Sequence, residues 1–247
     1  MFAWTPESIG FSAAAGEHTD YYPALAARLL PYLTGAGHIC DAGCGLGYLS
    51  RALAAHIPHI TAIDCDPAAL AVLQEHCPRQ VTPLCADVLT HIPPAPYDAM
   101  VFCFFGHIAQ ILPLAARHCR GKALILARNY AQHRFSAAEH PIGGHSYASY
   151  VRYLEHCGIP YTQEVFSLEC GQPLRSQEEA RRFFTLYRQP GDPPVTDDFL
   201  RSRLTSADDR EFPLYAGQER EIGLLCLEAD TIRDLMPDPM REGQITD

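Results

Sequence analysis

The chain has 247 residues, of which 47% are hydrophobic. This size suits one α/β domain with an elaboration, or at most two small domains. The sequence has 19 Lys and Arg against 29 Asp and Glu, for a formal net charge of −10. A protein that binds duplex nucleic acid usually carries a basic face, so we expect no nucleic-acid partner.

The cysteines and the start of the chain indicate where the protein works. Ten cysteines occur without a CxxC pair, and residues 1–7 contain no charged segment followed by an apolar signal stretch. We therefore expect a cytoplasmic protein with mostly buried, free thiols. Neighbouring His and Cys residues lie too far apart for metal-ligand spacing, so no metal site is expected. They occur at 76–77, 118–119 and 156–157.

The longest apolar stretch, residues 99–116, is long enough to raise the question of a membrane span. It is interrupted by Gly106, His107, Gln110 and Pro113. A buried strand followed by a helix explains this pattern better than a span, so no membrane partner is expected.

Apolar strands and amphipathic helices alternate through the first half of the chain. The predicted helices are 22–32, 48–56, 66–76, 108–119, 146–156 and 177–188. The predicted strands are 38–41, 59–64, 80–85, 97–103, 123–127, 161–168 and 221–228. Loops are predicted at 86–96, 129–144 and 189–213. Such alternation is typical of a parallel, doubly wound sheet.

A glycine-rich turn, Asp41-Ala42-Gly43-Cys44-Gly45-Leu46-Gly47, joins the first predicted strand to the next helix. Glycines allow a tight turn and let backbone amides approach a ligand closely. The start of the following helix adds partial positive charge, which suits a carboxylate or a phosphate. The turn therefore predicts a ligand site.

Two acidic residues sharpen this prediction. Asp64 ends the second strand, about 20 residues after the turn, where an acidic side chain can accept hydrogen bonds from two ribose hydroxyls. Asp87 follows the third strand, where a carboxylate can bond an adenine amino group. Open α/β sheets bind their ligands at this end of the strands.

The segments DAGCGLG, AIDCDP, CADVL and YDAMVF together resemble the successive motifs of class I S-adenosylmethionine-dependent methyltransferases, over about residues 38–130. The resemblance implies S-adenosyl-L-methionine as cofactor and S-adenosyl-L-homocysteine as product. It implies a methionine pocket shaped by the turn, a ribose bound by Asp64, and Cys65 against the adenine. The turn residues concerned are Asp41, Gly43, Cys44, Gly45 and Gly47. Ala86, Asp87 and Val88 would frame the adenine, and Cys103 and Phe104 would line the cofactor wall.

The resemblance also implies the fold. We expect a Rossmann-like, doubly wound seven-stranded sheet in the order 3-2-1-4-5-7-6 with the last strand antiparallel. N-terminal and C-terminal helical elements would cap it. Residues 1–247 would form one domain, with a cofactor-binding core at about 36–130 and a cap insertion at about 169–218.

Two other functions remain open. A dinucleotide oxidoreductase using NAD(P) would need G-x-G-x-x-G, and its third glycine falls on Tyr48, whereas Gly47 gives the methyltransferase spacing. The chain would otherwise be a non-catalytic S-adenosylmethionine-binding or S-adenosylhomocysteine-binding protein. An acceptor pocket beside the methyl position would distinguish an enzyme from such a binding protein.

The acceptor is harder to predict than the cofactor. An acidic chain without the N/D-P-P-Y signature after the fourth strand favours a small-molecule acceptor. His107, just past that strand, is the best-placed candidate for a general base, although a helix-capping or solvent-facing histidine explains it equally simply. Four residues after the fifth strand are candidates for acceptor contact, although ordinary loop residues explain them equally well: Arg128, Asn129, Tyr130 and His133. Trp4 and Tyr22 are expected to pack an N-terminal helix onto the sheet.

Overall fold

The computed structural model describes residues 4–130, 135 and 145–236. In chain order, its strands are β1 (His38–Ala42), β2 (His59–Asp64), β3 (Val81–Cys85), β4 (Tyr97–Cys103), β5 (Cys119–Arg128), β6 (Thr162–Glu169), β7 (Gln172–Leu174), β8 (Thr205–Ser206), β9 (Leu214–Ala216) and β10 (Glu219–Glu228). Its α-helices are α1 (Pro6–Glu17), α2 (Tyr21–Leu29), α3 (Tyr48–Leu53), α4 (Pro67–Glu75), α5 (Ile108–His118), α6 (Tyr147–Cys157), α7 (Gln177–Leu186), α8 (Asp197–Arg203) and α9 (Ala229–Leu235). A short 3₁₀ helix, Leu30–Leu33, extends α2.

Seven strands form the central sheet in the order β3-β2-β1-β4-β5-β10-β6. The pairs among β1 to β5 are parallel, whereas β10 runs antiparallel to both β5 and β6. The predicted Rossmann-like topology, including its antiparallel last strand, is therefore confirmed. Because β10 is reversed, its amino end lies at the same edge of the sheet as the carboxyl ends of β1 to β5.

Helices cover both faces of the sheet, as a doubly wound fold requires. On one face, Ile111 of α5, Leu154 of α6 and Ile232 of α9 belong to one buried apolar cluster. On the other face, α2, α3 and α4 contribute Leu25, Leu53 and Leu73 to a second cluster. Every one of these six side chains is at most 1% exposed. The two cores hold the sheet rigid, so the strand ends keep a fixed geometry.

β6 and β10 form an antiparallel pair that encloses the segment 170–218. Their register runs from Thr162 opposite Cys226 to Glu169 opposite Glu219. The backbone amide of Cys170 then donates to the carbonyl of Gln218 over 2.7 Å, so both ends of the segment start from one point. Within it, β7, β9 and β8 make a small antiparallel sheet, flanked by α7 and α8. The sequence predicted only α7 in this segment.

The segment 170–218 and the first helix share a third apolar cluster. Phe11 of α1 packs there with Leu174, Phe183 and Leu200. The side-chain amide of Gln172 also donates to the backbone carbonyl of Phe11 over 3.1 Å. The N-terminus and the insertion thus form one structural unit beside the edge of the sheet that carries the predicted site.

A cavity at the carboxyl ends of the strands

A cavity of about 890 Å³ opens at the carboxyl ends of β1 to β5. Binding sites for small molecules usually measure about 300–1,000 Å³, so this volume is at the upper end of that range. Eleven of the predicted site residues line it: Asp41, Gly43, Cys44, Gly45, Asp64, Cys65, Ala86, Asp87, Val88, Cys103 and Phe104. Gly47 and His107 are not among the lining residues.

The glycine turn is held close to the end of β2. The backbone amides of Gly43 and Cys44 both donate to the carbonyl of Ile63, over 2.8 and 2.9 Å. At Gly43 the backbone has φ +72°, and a Cβ there would lie 2.1 Å from the ring of Phe105. A side chain at this position would therefore clash with Phe105, and the glycine allows the turn to pack closely against the residues that follow β4.

Asp41 ends β1 beneath the turn and is only 1% exposed. The hydroxyl of Ser50 donates to its Oδ2 over 2.6 Å, but its Oδ1 is buried and has no hydrogen-bond partner. Burial raises the pKa of this carboxyl to about 6; the Ser50 hydrogen bond lowers it and the nearby Asp64 raises it. An unpaired, buried carboxylate oxygen in a cavity wall is a ready acceptor for a cationic or N–H group of a ligand.

Asp64 connects the turn to the start of α4. Its Oδ2 accepts from the amide of Gly45 over 2.8 Å, and its Oδ1 accepts from the amide of Asp66 over 2.9 Å. A carboxylate has about four lone-pair positions, so two remain for a ligand. Asp66 in turn caps α4, with its Oδ1 accepting from Ala68 over 2.9 Å, as the sequence predicted. The hydrogen bonds fix the orientation of the Asp64 carboxylate before any ligand arrives.

The end of β3 forms a shallower part of the wall. Asp87 is exposed, and its Oδ1 accepts from the amide of Leu89 over 2.9 Å. Val88 is buried at 6% exposure in the apolar cluster beneath. Cys65, at the end of β2, is exposed. These residues form an open, partly apolar surface that suits a flat heterocycle better than a charged group.

The chain turns sharply after β4. Phe104 has φ +54°, a left-handed value that is uncommon for a bulky residue, and its amide donates to the carbonyl of Leu126 over 3.0 Å. Strained backbone of this kind often lies at functional sites, and here it directs Phe104 and Phe105 into the cavity wall. The carbonyl of Gly106 accepts from the hydroxyl of Tyr150 over 2.6 Å, which ties α6 to the same turn.

His107 has a structural position at the start of α5. Its Nδ1 accepts from the amide of Ala109 over 3.3 Å, and Gln110 completes the capping box by accepting from the His107 amide. Burial and the neighbouring His145 lower its pKa, which favours the neutral ring that this cap needs. This geometry matches the helix-capping interpretation of His107 rather than the general-base interpretation.

Gly47 also has a packing position. Its φ is +74°, and a Cβ there would lie 2.6 Å from the Leu73 side chain of α4. The glycine lets α3 and α4 approach each other beneath the turn, so its contribution to the site is indirect.

Aromatic residues from the N-terminus close one side of the cavity. Trp4, Tyr21 and Tyr22 all line it, although the sequence predicted only packing for Trp4 and Tyr22. Trp4 and Tyr22 also pack against a small buried cluster that contains Leu46 and Tyr48. These side chains therefore combine the packing role with a place in the cavity wall.

Sequence analysis missed two further parts of the wall. Arg220, at the start of β10, and Tyr150 of α6 both line the cavity. Burial raises the pKa of Tyr150 to about 12, while the positive charge of Arg128 acts in the opposite direction. The sequence did suggest residues after β5: Arg128 lines the cavity, whereas the side chain of Asn129 bonds Glu221 over 2.6 Å. His133 lies outside the described residues.

The cavity does not have the features of a thiol or metal centre. Burial raises the pKa values of the Cys44 and Cys103 thiols, with Asp41 adding to the effect, so neither is an activated nucleophile. Over the described ranges 4–130, 135 and 145–236, no three His, Cys, Asp or Glu side chains are grouped as metal ligands would be. No helix in the same ranges has both the length and the apolarity to span a membrane.

Comparison with known proteins identifies the core. Residues 39–121 match the family model of a methyltransferase domain. Uncharacterized methyltransferases of Mycobacterium bovis and Mycobacterium tuberculosis are 36% identical to this chain over 83 residues, which cover 33% of this chain and 41% of theirs. The chain thus matches about two fifths of the length of these curated relatives.

Solved structures resemble the chain over a longer span. A structure described for the conversion of a disulfide bond into a thioacetal group during echinomycin biosynthesis has a TM-score of 0.50 and 16% identity, covering 83% of this chain and 82% of its own. A methyltransferase structure from Bacillus halodurans has a TM-score of 0.49 and 14% identity, covering 83% and 99%. At this identity the first likeness shows the fold alone. The match to a methyltransferase domain therefore rests on the family model over residues 39–121, and the solved structure supports the fold around it.

Proposed function

We propose that this protein is an enzyme that binds S-adenosyl-L-methionine and transfers its methyl group to a small-molecule acceptor. The observation that carries the proposal is the buried, unpaired Oδ1 of Asp41 beside the glycine turn, at one end of a cavity of about 890 Å³. A buried carboxylate oxygen without a partner is costly. The ammonium group of a bound methionine moiety would supply the missing hydrogen bond and a compensating charge.

The other residues at this end also fit the cofactor. The two free lone-pair positions of Asp64 suit the ribose hydroxyls, and its orientation is fixed by the amides of Gly45 and Asp66. The part of the cavity wall formed by Cys65, Ala86, Asp87 and Val88 would accept the adenine. Gly43 would act indirectly, because the absence of a Cβ lets Phe105 pack against the turn that shapes the methionine end of the cavity. Cys103 and Phe104 would form the wall beside the sulfur.

When bound, S-adenosyl-L-methionine supplies an activated methyl group on a sulfonium, so the protein has little covalent chemistry to perform. The chain's own residues would orient the acceptor in line with that methyl and exclude water. Trp4, Tyr21 and Tyr22 would close the cavity on the N-terminal side. We assign His107 no role as a general base, because its Nδ1 is already occupied by the cap of α5.

The first test is a calorimetric titration with S-adenosyl-L-methionine, S-adenosyl-L-homocysteine and NAD. Both adenosyl ligands should bind and NAD should not. Asp64→Asn removes the charge and keeps one of the two acceptor oxygens that bind the backbone amides, and we expect at least tenfold weaker binding of both adenosyl ligands. Failure of a folded wild-type protein to bind either of them would refute the proposal.

A matched control is available at the opposite end of the sheet. Asp98 also accepts two backbone amides, from Gly37 over 2.8 Å and from His38 over 2.7 Å, but it does not line the cavity. Asp98→Asn should leave both affinities within about twofold of the wild type. Equal losses in the two variants would mean that Asp64 acts through stability alone.

A further inference from the structure

The charged residues that line the cavity are separated by sign. Among the residues that the structure describes, the carboxylates lining the cavity, Asp41, Asp64, Asp66 and Asp87, lie at the ends of β1, β2 and β3. Among the same described residues, the guanidinium groups, Arg128 and Arg220, lie on β5 and β10 at the other end. S-adenosyl-L-methionine has a net positive charge, since its sulfonium and ammonium outweigh one carboxylate. The acidic half complements that cation, and the basic half is left for a second molecule of opposite charge.

Arg220 is the clearest feature of the basic half. One terminal nitrogen donates to the hydroxyl of Tyr21 over 3.1 Å. Its guanidinium lies 5.4 Å from the ring centre of Tyr21 and 5.1 Å from that of Phe104, so two aromatic faces flank it. Its Nε is buried and has no hydrogen-bond partner, and no carboxylate of the described residues forms an ion pair with it. A desolvated cation without an anion is unfavourable, and a ligand carboxylate would relieve this.

A side pocket of about 120 Å³ adjoins the main cavity at Arg220. Tyr21, Tyr22 and Arg220 line both spaces. The side pocket is also lined by the aromatic side chains Phe135, Phe183 and Tyr187, together with smaller and polar residues such as Ser12, Ala15 and Gln172. A protein cavity of about 150 Å³ is known to hold one benzene ring, so the side pocket is close to the size of a single aromatic ring.

We propose that the methyl acceptor is an aromatic carboxylate whose ring enters the side pocket and whose carboxylate pairs with Arg220. The inference rests on the proposed function and specifies its substrate class. The Nε and the remaining terminal nitrogen of Arg220 can bind the two carboxylate oxygens as a fork. Stacking against Tyr21, Tyr22 and Phe183 then provides the affinity for the ring, and the guanidinium selects the acid over neutral analogues.

The test uses benzoate as the probe, with benzamide as its neutral analogue of the same shape and phenyl phosphate as a second anion. Each is titrated by calorimetry into protein saturated with S-adenosyl-L-homocysteine. We expect benzoate to bind at least tenfold more tightly than benzamide and more tightly than phenyl phosphate. Equal affinities for benzoate and benzamide would overturn the proposal. Tighter binding of phenyl phosphate would also overturn it and would indicate an aromatic phosphate as the acceptor.

Variants of Arg220 provide the second arm of the test. Arg220→Met should weaken the binding of benzoate at least tenfold. Its affinities for benzamide and for S-adenosyl-L-homocysteine should stay within about twofold of the wild-type values. Arg220→Lys keeps the charge and should retain part of the preference for benzoate, so a folding defect of the methionine variant would not decide the result. Arg152→Met, at an exposed position of α6, is the control and should match the wild type.

The outcomes separate this inference from the proposed function. Arg220→Met could instead bind S-adenosyl-L-homocysteine ten times more weakly and benzoate as tightly as the wild type. Arg220 would then hold the methionine carboxylate, and this result would overturn the inference but not the proposed function. If the wild type binds neither S-adenosyl-L-methionine nor S-adenosyl-L-homocysteine, the proposed function is refuted. Benzoate titration of the free protein and of Arg220→Met would still decide whether Arg220 forms a carboxylate site.

Discussion

The ionisation of Asp41 leads to a quantitative prediction for cofactor binding. Burial raises the pKa of this carboxyl to about 6, and a bound ammonium group would pair with the ionised form. Below pH 6 the free protein must therefore lose a proton in order to bind. Affinity for S-adenosyl-L-methionine should be constant down to about pH 6.5 and fall about tenfold by pH 5, which corresponds to about 1.4 kcal/mol.

The assay is a calorimetric titration at intervals from pH 5 to 7, below the usual pKa of an α-amino group of about 7.7. Buffers with different ionisation enthalpies then count the protons released, which should approach one per ligand at pH 5. Ser50→Ala removes the hydrogen bond that stabilises the carboxylate, so its affinity should begin to fall at a higher pH. Asp41→Asn should bind weakly with a flat profile. A flat profile in the wild type would refute the reasoning.

Asp41 has the opposite effect on the stability of the free protein. Its pKa in the folded state lies above the ordinary value of 3.8, so the folded protein takes up a proton more readily than the unfolded chain as the pH falls through 6. Ionised Asp41 thus lowers the free energy of unfolding at pH 7. The cost is up to about 3 kcal/mol, because each pKa unit between the folded and unfolded states corresponds to about 1.4 kcal/mol, and it disappears towards pH 4. Asp41→Asn should therefore raise the stability of the ligand-free protein at pH 7 in urea unfolding. A less stable variant would contradict this account.

Two further predictions concern residues that the structure places outside the cavity lining. Gly47→Ala should destabilise the protein by about 1–3 kcal/mol, because φ +74° disfavours a side chain and the new Cβ would lie 2.6 Å from Leu73; urea unfolding measures this, and an unchanged midpoint would contradict it. His107→Ala should cost about 1 kcal/mol by removing the cap of α5, whereas His107→Asn, which keeps an acceptor, should cost little and preserve methyl transfer. Because the pKa of His107 is lowered, its stabilising contribution should be present above about pH 6.5 and be lost as the pH falls through the lowered value. Thermal unfolding of the wild type and of His107→Asn from pH 5 to 8 measures this difference. Identical pH profiles of the two proteins would contradict the prediction.

The core of the fold was predictable because its signals are local. The strands 59–64 and 97–103 were predicted to the residue, since each is an apolar run with a clear boundary at both ends. The helix α1 was missed because its sequence, PESIGFSAAAGE, is rich in small residues and has no apolar stripe. The strands β7, β8 and β9 have only two or three residues each, too few for any periodicity to be visible.

The difference between local signals in the sequence and features that depend on tertiary structure also applies to the candidate site. Residues that directly follow parallel strands, such as Asp41, Asp64 and Asp87, could be placed because all those strands end at one edge of the sheet. Arg220 lies at the start of a strand instead of following one, so its location depends on the reversal of β10, a tertiary feature. The signal in the sequence was a single arginine before the apolar run 222–227, which has no distinctive spacing. The sequence left two interpretations of His107 open because a helix cap and a general base occupy the same place in the chain.

The β6–β10 pairing has a consequence for how such a protein can diversify. The segment 170–218 leaves and rejoins the sheet at one hydrogen-bonded point, between Cys170 and Gln218, and the strand register below that point is unbroken. An unrelated loop could therefore be grafted between these two positions without shifting β5 or the glycine turn. A third of the described residues that line the side pocket, among them Phe183 and Tyr187, would change in one step, while the acidic half of the cavity would stay unchanged. The proposed acceptor site and the proposed cofactor site can in this way change independently of each other within one chain.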